Sequence, residues 1–215
     1  MPVVSLFVIQ LQPGARLPEP SVLAGLAAVQ DLYSTPSDTT YPCQWLQQTE
    51  DPAVLYLLCE WSDAALCREA FSQASASRQH LNELLDGYIQ STTSRLFIIN
   101  VAARDIPLEA PIISIGCHTV LADNQDALEL FFQRNRNILD DYVTCEKKAV
   151  GGWRLEGTSC VRKEWWLFVG WESWRHHYDF ITIEGFKQYG KILNLLSGYE
   201  SRHARVLHLS PEDKE

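Results

Sequence analysis

Two stretches decide the fold: YLLCEW at residues 56–61 and WLFVGW at residues 166–171. Each is an apolar run closing on a tryptophan, and the two lie 110 residues apart. Working outward, VVSL at 3–6 falls on IISI at 112–115, and LLDGY at 84–88 falls on LLSGY at 195–199. SRLFI from Ser94 matches ARVLH from Ala204, so the order holds and the shift stays between 109 and 111 residues. A repeat of that period marks a duplicated structural unit, and it governs the reading of every other segment.

In the first half, residues 3–12 form a β-branched run stopped by Pro13-Gly14. Residues 21–33 carry a helical stripe of Val22, Leu26, Val29 and Leu32, with Ser21 as N-cap. Residues 41–49 and 54–61 read as strands, 63–85 as helix broken near 74–77, and 95–101 as the last strand. The second half repeats the order: strand 112–121, helix 125–142, strands 149–155 and 164–171, helices from 175 to 196, strand 205–209. Residues 1–104 and 112–215 are thus two βαββαβ repeats of an α+β protein, joined by a linker at 105–111. A ferredoxin-like unit covers one sheet face with its helices. Runs such as VLYLL and WWLFV are apolar on both faces, so the bare faces are expected to pack together as a closed barrel.

Net charge is −9, and the basic residues divide unevenly, with no lysine before residue 109. An acidic chain without a basic stripe is a poor partner for nucleic acid or for anionic membranes. No apolar run has the length of a membrane span, and the N-terminus reads as a strand instead of a leader, which points to the cytoplasm. None of the six cysteines has C-x-x-C spacing, so zinc and thioredoxin motifs are unsupported and reduced thiols are expected. HExxH, phosphate-loop and dinucleotide fingerprints are missing, and neither a metal nor a cofactor is expected.

W-x-S-x-x-x-H-x-x-F, present as Trp171, Ser173, His177 and Phe180, follows the third strand of the second half. With the βαββαβ order, it resembles the dimeric α/β-barrel superfamily, which includes antibiotic-biosynthesis-monooxygenase-like domains. In the first half Trp61 is kept, but Cys67 takes the histidine place. The resemblance implies a fused, pseudo-dimeric barrel, open to further oligomerisation, like proteins of secondary metabolism. It covers cofactor-independent oxygenation, cyclisation, dehydration, isomerisation and haem binding, so fold alone does not fix activity.

The halves differ where the chemistry is expected. Phe7 and Ile9 correspond to Gly116 and His118, and Ile98 is matched with His208. Losing a phenyl ring leaves a cavity for a ligand or a larger neighbour to fill. His118 and His208 are the candidate acid–base residues, because imidazole titrates near neutral pH. The alternative for each is a core histidine bonded to a backbone carbonyl, or one at a strand's wet end. Trp153, Trp165 and Trp166 can wall a flat apolar ligand or simply fill core. Gly116 gives room, Arg154 can pair with a carboxylate or enolate, and Tyr142 can donate a hydrogen bond. His177 reads as architectural and His176 as exposed, while Arg95 and Arg205 read as opening equivalent strands. The expected function is a cofactor-independent enzyme acting on an apolar, oxygenated, polyketide-like or aromatic small molecule. The alternatives are a non-catalytic binding or stress-related barrel, or a haem protein using His80.

Overall fold

The computed structural model describes residues 1–17, 19–34, 41–90, 94–157 and 159–209. The chain divides into two compact units, Met1–Ala103 together with the chain from Val206 onward, and Arg104–Arg205.

The first unit runs β1 (Val3–Gln10), α1 (Pro20–Ser34), β2 (Gln44–Gln48), β3 (Val54–Trp61), α2 (Ala64–Phe71), α3 (Ala76–Leu84) and β4 (Arg95–Ile99). Its antiparallel strands lie in the order β4-β1-β3-β2. Proline at the first position starts α1, so Ser21 lies inside the helix and bonds Glu19 instead of capping. The break in the second helical region is explicit. Asp63 caps α2 through the N–H groups of Ala65 and Leu66, and Ser75 caps α3 through that of Arg78. Alternate residues of β1 and β3 (Phe7, Ile9, Leu55, Leu57, Cys59, Trp61) meet Val22, Leu26 and Val29 of α1 in one core. Trp45 is fully buried there, and its indole N–H donates to the Leu26 carbonyl at 2.8 Å.

The β2–β3 register sets Gln44 opposite Leu58, which brings Cys43 and Cys59 side by side. They form a disulfide with Cα atoms 4.4 Å apart. The expectation of six reduced thiols is corrected here, because spacing along the sequence carries no information on cross-strand neighbours.

The second unit repeats the plan: β5 (Ile112–Leu121), α4 (Gln125–Tyr142), β6 (Ala149–Trp153), β7 (Arg162–Trp171), α5 (Trp174–Phe180), α6 (Phe186–Tyr189) and β8 (Leu196–Val206). Its order is β8-β5-β7-β6. In the first unit the Trp61 indole donates to Ser5 Oγ at 2.9 Å, and in the second Trp171 donates to Ser114 Oγ at 2.9 Å. The segment 105–111 is packed and not a free linker: Ile106 is fully buried. A Cβ on Gly170 would meet Pro107 and Ala110 at 2.9 Å, so glycine there makes room for that segment. At the corresponding place in the first unit, Glu60 accepts the Ala103 N–H at 2.6 Å.

The last strand departs from the sequence expectation. Ser5 pairs with Ile98 and Ser114 pairs with His203, so the structural counterpart of Ile98 is His203, not His208. LLSGY enters β8 directly, whereas in the first unit residues 85–88 form a turn and β4 begins only at Arg95. The offset between corresponding strand positions accordingly falls to 105 residues at the last strand. Arg95 accordingly faces Val8, and the matching position opposite Cys117 is Glu200. Arg205 does not open the strand.

Candidate functional site

Cross-strand partners share a sheet face, and this sorts the candidate residues. On β5, Ser114, Gly116 and His118 face the same way as their β7 partners Val169, Leu167 and Trp165. Trp165, Leu167, Val169 and Trp171 pack with Leu128, Phe132 and Leu139 of α4, so this is the helix-covered face. Trp166 and Phe168 point to the other. The expected aromatic wall is therefore divided between two faces, because alternation splits the adjacent Trp165 and Trp166.

Gly116, His118 and Trp165 do come together. A Cβ on Gly116 would lie 3.0 Å from His118 Cε1, so the imidazole itself occupies part of the space over the glycine. His118 also sits 5.5 Å from the Trp165 ring, which in turn meets Phe132 edge-on at 4.7 Å. Gly151 exists for the same packing: a Cβ there would overlap the Trp165 indole at 2.0 Å. Trp153 lies partly buried in this core, with its indole N–H directed at Glu129. His118 Nδ1 is shielded from solvent and has no hydrogen-bond partner among the described residues. Burial holds this imidazole down at about 4, partly offset by the Trp165 backbone.

A measurable consequence follows for acid stability. The folded value lies below the ordinary 6.5, so as pH falls the unfolded chain takes up a proton that the native state refuses. Stability is intact above 6.5 and is lost between 6.5 and 4, by on the order of 2 kcal/mol. Urea unfolding of His118→Leu at pH 7 and pH 4.5 is expected to show that this component has disappeared. An unchanged acid loss in the variant would assign the titration to another group.

On the opposite face, Arg154 Nη1 binds Glu164 Oε2 at 2.9 Å, a partly buried ion pair. The Cys117 thiol is pushed up to about 12 by burial, then by the Glu164 and Glu200 carboxylates, which makes it a poor nucleophile at neutral pH. Arg154 is thus engaged with an acid of its own strand pair. His208 lies beyond β8 and is exposed. Tyr142 ends α4, 4.6 Å from the His176 ring, and its hydroxyl is directed at the His176 carbonyl.

The residues that converge are ones the motif presented as architecture. Ser173 caps α5 by accepting the His176 N–H at 3.1 Å, so the helix begins directly after β7. That geometry lays His177 on the Trp171 ring, 4.3 Å between centroids and 19° from parallel. From β8, His203 reaches the same point: His177 Nδ1 and His203 Nε2 lie 2.6 Å apart. One of these nitrogens carries the shared hydrogen and the other accepts it. His203 is 3% exposed, yet its ring is flanked by Trp174 at 6.3 Å and Tyr178 at 6.1 Å, both about half exposed. His176, expected to be exposed, is half-buried against Trp171 and Tyr142. The site combines a linked imidazole pair with a wet aromatic rim. His203 was recoverable from the sequence only by pairing strand with strand, since the uniform shift points past it to His208.

Among the described residues no group of three or more His, Cys, Asp or Glu side chains could hold a metal ion. His80 is exposed on α3 and directed at Glu83 at 3.3 Å. No described helix is long and apolar enough to cross a membrane.

No family model matches the sequence, and no curated protein matches it. Solved structures do. An anthrone oxidase-like protein superimposes with a TM-score of 0.65 at 12% identity, covering 96% of this chain and 92% of its own. Each unit has a ferredoxin-like strand and helix order, and these neighbours are of the ferredoxin-like dimeric α/β-barrel type. A provisionally named monooxygenase of Lactobacillus acidophilus gives 0.58 at 10% identity, over 96% of this chain and 99% of its own. A chlorite dismutase variant from Candidatus Nitrospira defluvii gives 0.57 at 12%, over 96% and 92%. At these identities the likeness is one of ferredoxin-like architecture.

Proposed function

We propose that the chain is an oxygenase-type enzyme acting without a cofactor on an oxygenated aromatic, polyketide-like molecule. In this reading its two βαββαβ units are tandem repeats that close a barrel within one polypeptide. The observation that carries the proposal is the His177–His203 pair, with nitrogens 2.6 Å apart beneath Trp174 and Tyr178. A flat substrate stacks on the exposed rings, and the imidazole pair takes a proton from its activated C–H or O–H. The resulting carbanion passes its electrons to dioxygen and bonds it as a hydroperoxide. Loss of water then converts the substrate CH2 to C=O, with one O2 consumed and one H2O released. The names of the oxidase-like and monooxygenase neighbours support this chemistry.

Oxygen uptake and quinone absorbance with 1,8-dihydroxyanthrone test the reading on chelator-treated protein. One O2 consumed per quinone, above the spontaneous rate, is expected. Binding of the anthrone without turnover would replace the enzyme by a non-catalytic small-molecule-binding barrel.

A further inference from the structure

The first unit buries a guanidinium that has no counter-ion among the described residues. Arg78, on α3, is 5% exposed, and its Nε has no hydrogen-bond partner among the described residues. Its contacts are neutral. Nη2 donates to Ser94 Oγ at 3.0 Å, and the guanidinium carbon lies 4.5 Å over the Phe7 ring. A cation–π contact of this kind offsets only part of the cost of stripping an ion of water. Burial accordingly lowers the Arg78 pKa, and the group opposing that shift is the Tyr33 phenol, not a carboxylate.

Two more polar groups here lack partners. Tyr33 is 1% exposed, with its hydroxyl unpaired among the described residues, and burial drives its pKa upward. Asn82, one turn along the same face of α3, has its Oδ1 shielded and unpaired. Between Arg78 and Tyr33 the buried lining is aromatic. Phe7 lies 5.1 Å from Phe71, and Phe71 stacks on Tyr33 at 4.7 Å and 10°. Buried polar groups are normally satisfied, so unpartnered donors and acceptors gathered around one buried cation match the chemistry of an anion-recognition site.

We propose that the helix-covered face of the first unit binds a small aromatic anion, its carboxylate or phenolate oxygen held by Arg78 and the Tyr33 hydroxyl. The aromatic body of the ligand packs against Phe7 and Phe71, while Asn82 accepts a hydrogen from a ring hydroxyl. The site does not depend on the His177–His203 chemistry, which belongs to the other unit.

Thermal shift and calorimetry on the full chain test this with 2-naphthoate, its neutral isostere 2-naphthamide, and inorganic phosphate. Naphthoate is expected to raise Tm and to bind at least about tenfold more tightly than the amide, and phosphate to have no effect. Arg78→Met is expected to fold, having no carboxylate to strand, and to weaken naphthoate binding about 10- to 100-fold. Tyr33→Phe is expected to weaken it less. If Arg78→Met does not fold, Arg78→Lys takes its place: it keeps the charge, loses the fork, and is expected to bind naphthoate several-fold more weakly. Equal stabilisation by naphthoate and naphthamide, an undiminished affinity in the Arg78 variant, or no naphthoate binding at millimolar concentration would each overturn the proposal.

Discussion

Trp171→Ala is expected to cost about 4 kcal/mol of stability and to disperse the imidazole pair, the largest structural effect of any single truncation in the second unit. The indole is 1% exposed and ends β7, where strand, α4 and α5 meet. Three separate losses combine. The cavity left by a buried indole contributes most of the cost, as for other large-to-small core changes. The Ser114 hydroxyl, 5% exposed, loses the donor that now reaches it at 2.9 Å. The stacked His177 loses the surface that fixes its ring, and Tyr142 and Phe180, at 6.5 and 5.9 Å, lose an aromatic neighbour. Trp171→Phe separates these terms. It keeps an aromatic surface but not the indole N–H, and should cost about 2 kcal/mol. Urea denaturation measures both. A Trp171→Ala penalty below that of Trp171→Phe would mean that the indole does not organise this junction.

The fold was legible because apolar runs and turn residues report local structure, and the repeat let each half check the other. Element order, the break between α2 and α3, and the burial of both faces of β7 could be read from spacing alone. The site was less legible, for two physical reasons. Strand alternation separates neighbours in sequence: Trp165 turns to the helices while Trp166 turns away, so an aromatic cluster in the sequence is not one in space. A repeat also need not keep constant spacing. One connection shortened before β8, and that sufficed to direct attention to exposed His208 and away from buried His203. The inward turn of Arg78 is illegible in the sequence for a related reason. An arginine on an amphipathic helix normally faces water, and nothing in the sequence marks one that turns inward. Its position opposite Phe7 also explains the difference between the units. Where the first keeps a phenyl ring under a guanidinium, the second has Gly116 with the His118 imidazole leaning over it.

His203→Phe is expected to lower kcat for anthrone oxidation about 10²- to 10⁴-fold while leaving the affinity for the quinone product within about threefold. The reasoning begins with shape. Phenylalanine keeps an aromatic ring against Trp174 and Tyr178 while removing both imidazole nitrogens, among them the Nε2 that meets His177. The aromatic rim that would hold the substrate is therefore retained. What disappears is the path by which the pair shares a hydrogen, so an interaction made in the transition state is lost and ground-state binding is not. His177→Phe should be about as severe, and the double variant hardly worse than either, because two residues acting as one unit are not additive. His118→Leu is the contrasting variant. His118 lies beneath α4 against Trp165, in contacts of its own, so the kcat of its variant should stay within about twofold. Steady-state oxygen uptake across these four proteins separates the alternatives. A large loss in His118→Leu with little in His203→Phe would move the chemistry to β5. Equal, modest losses in all four would leave the imidazole pair with a packing role only.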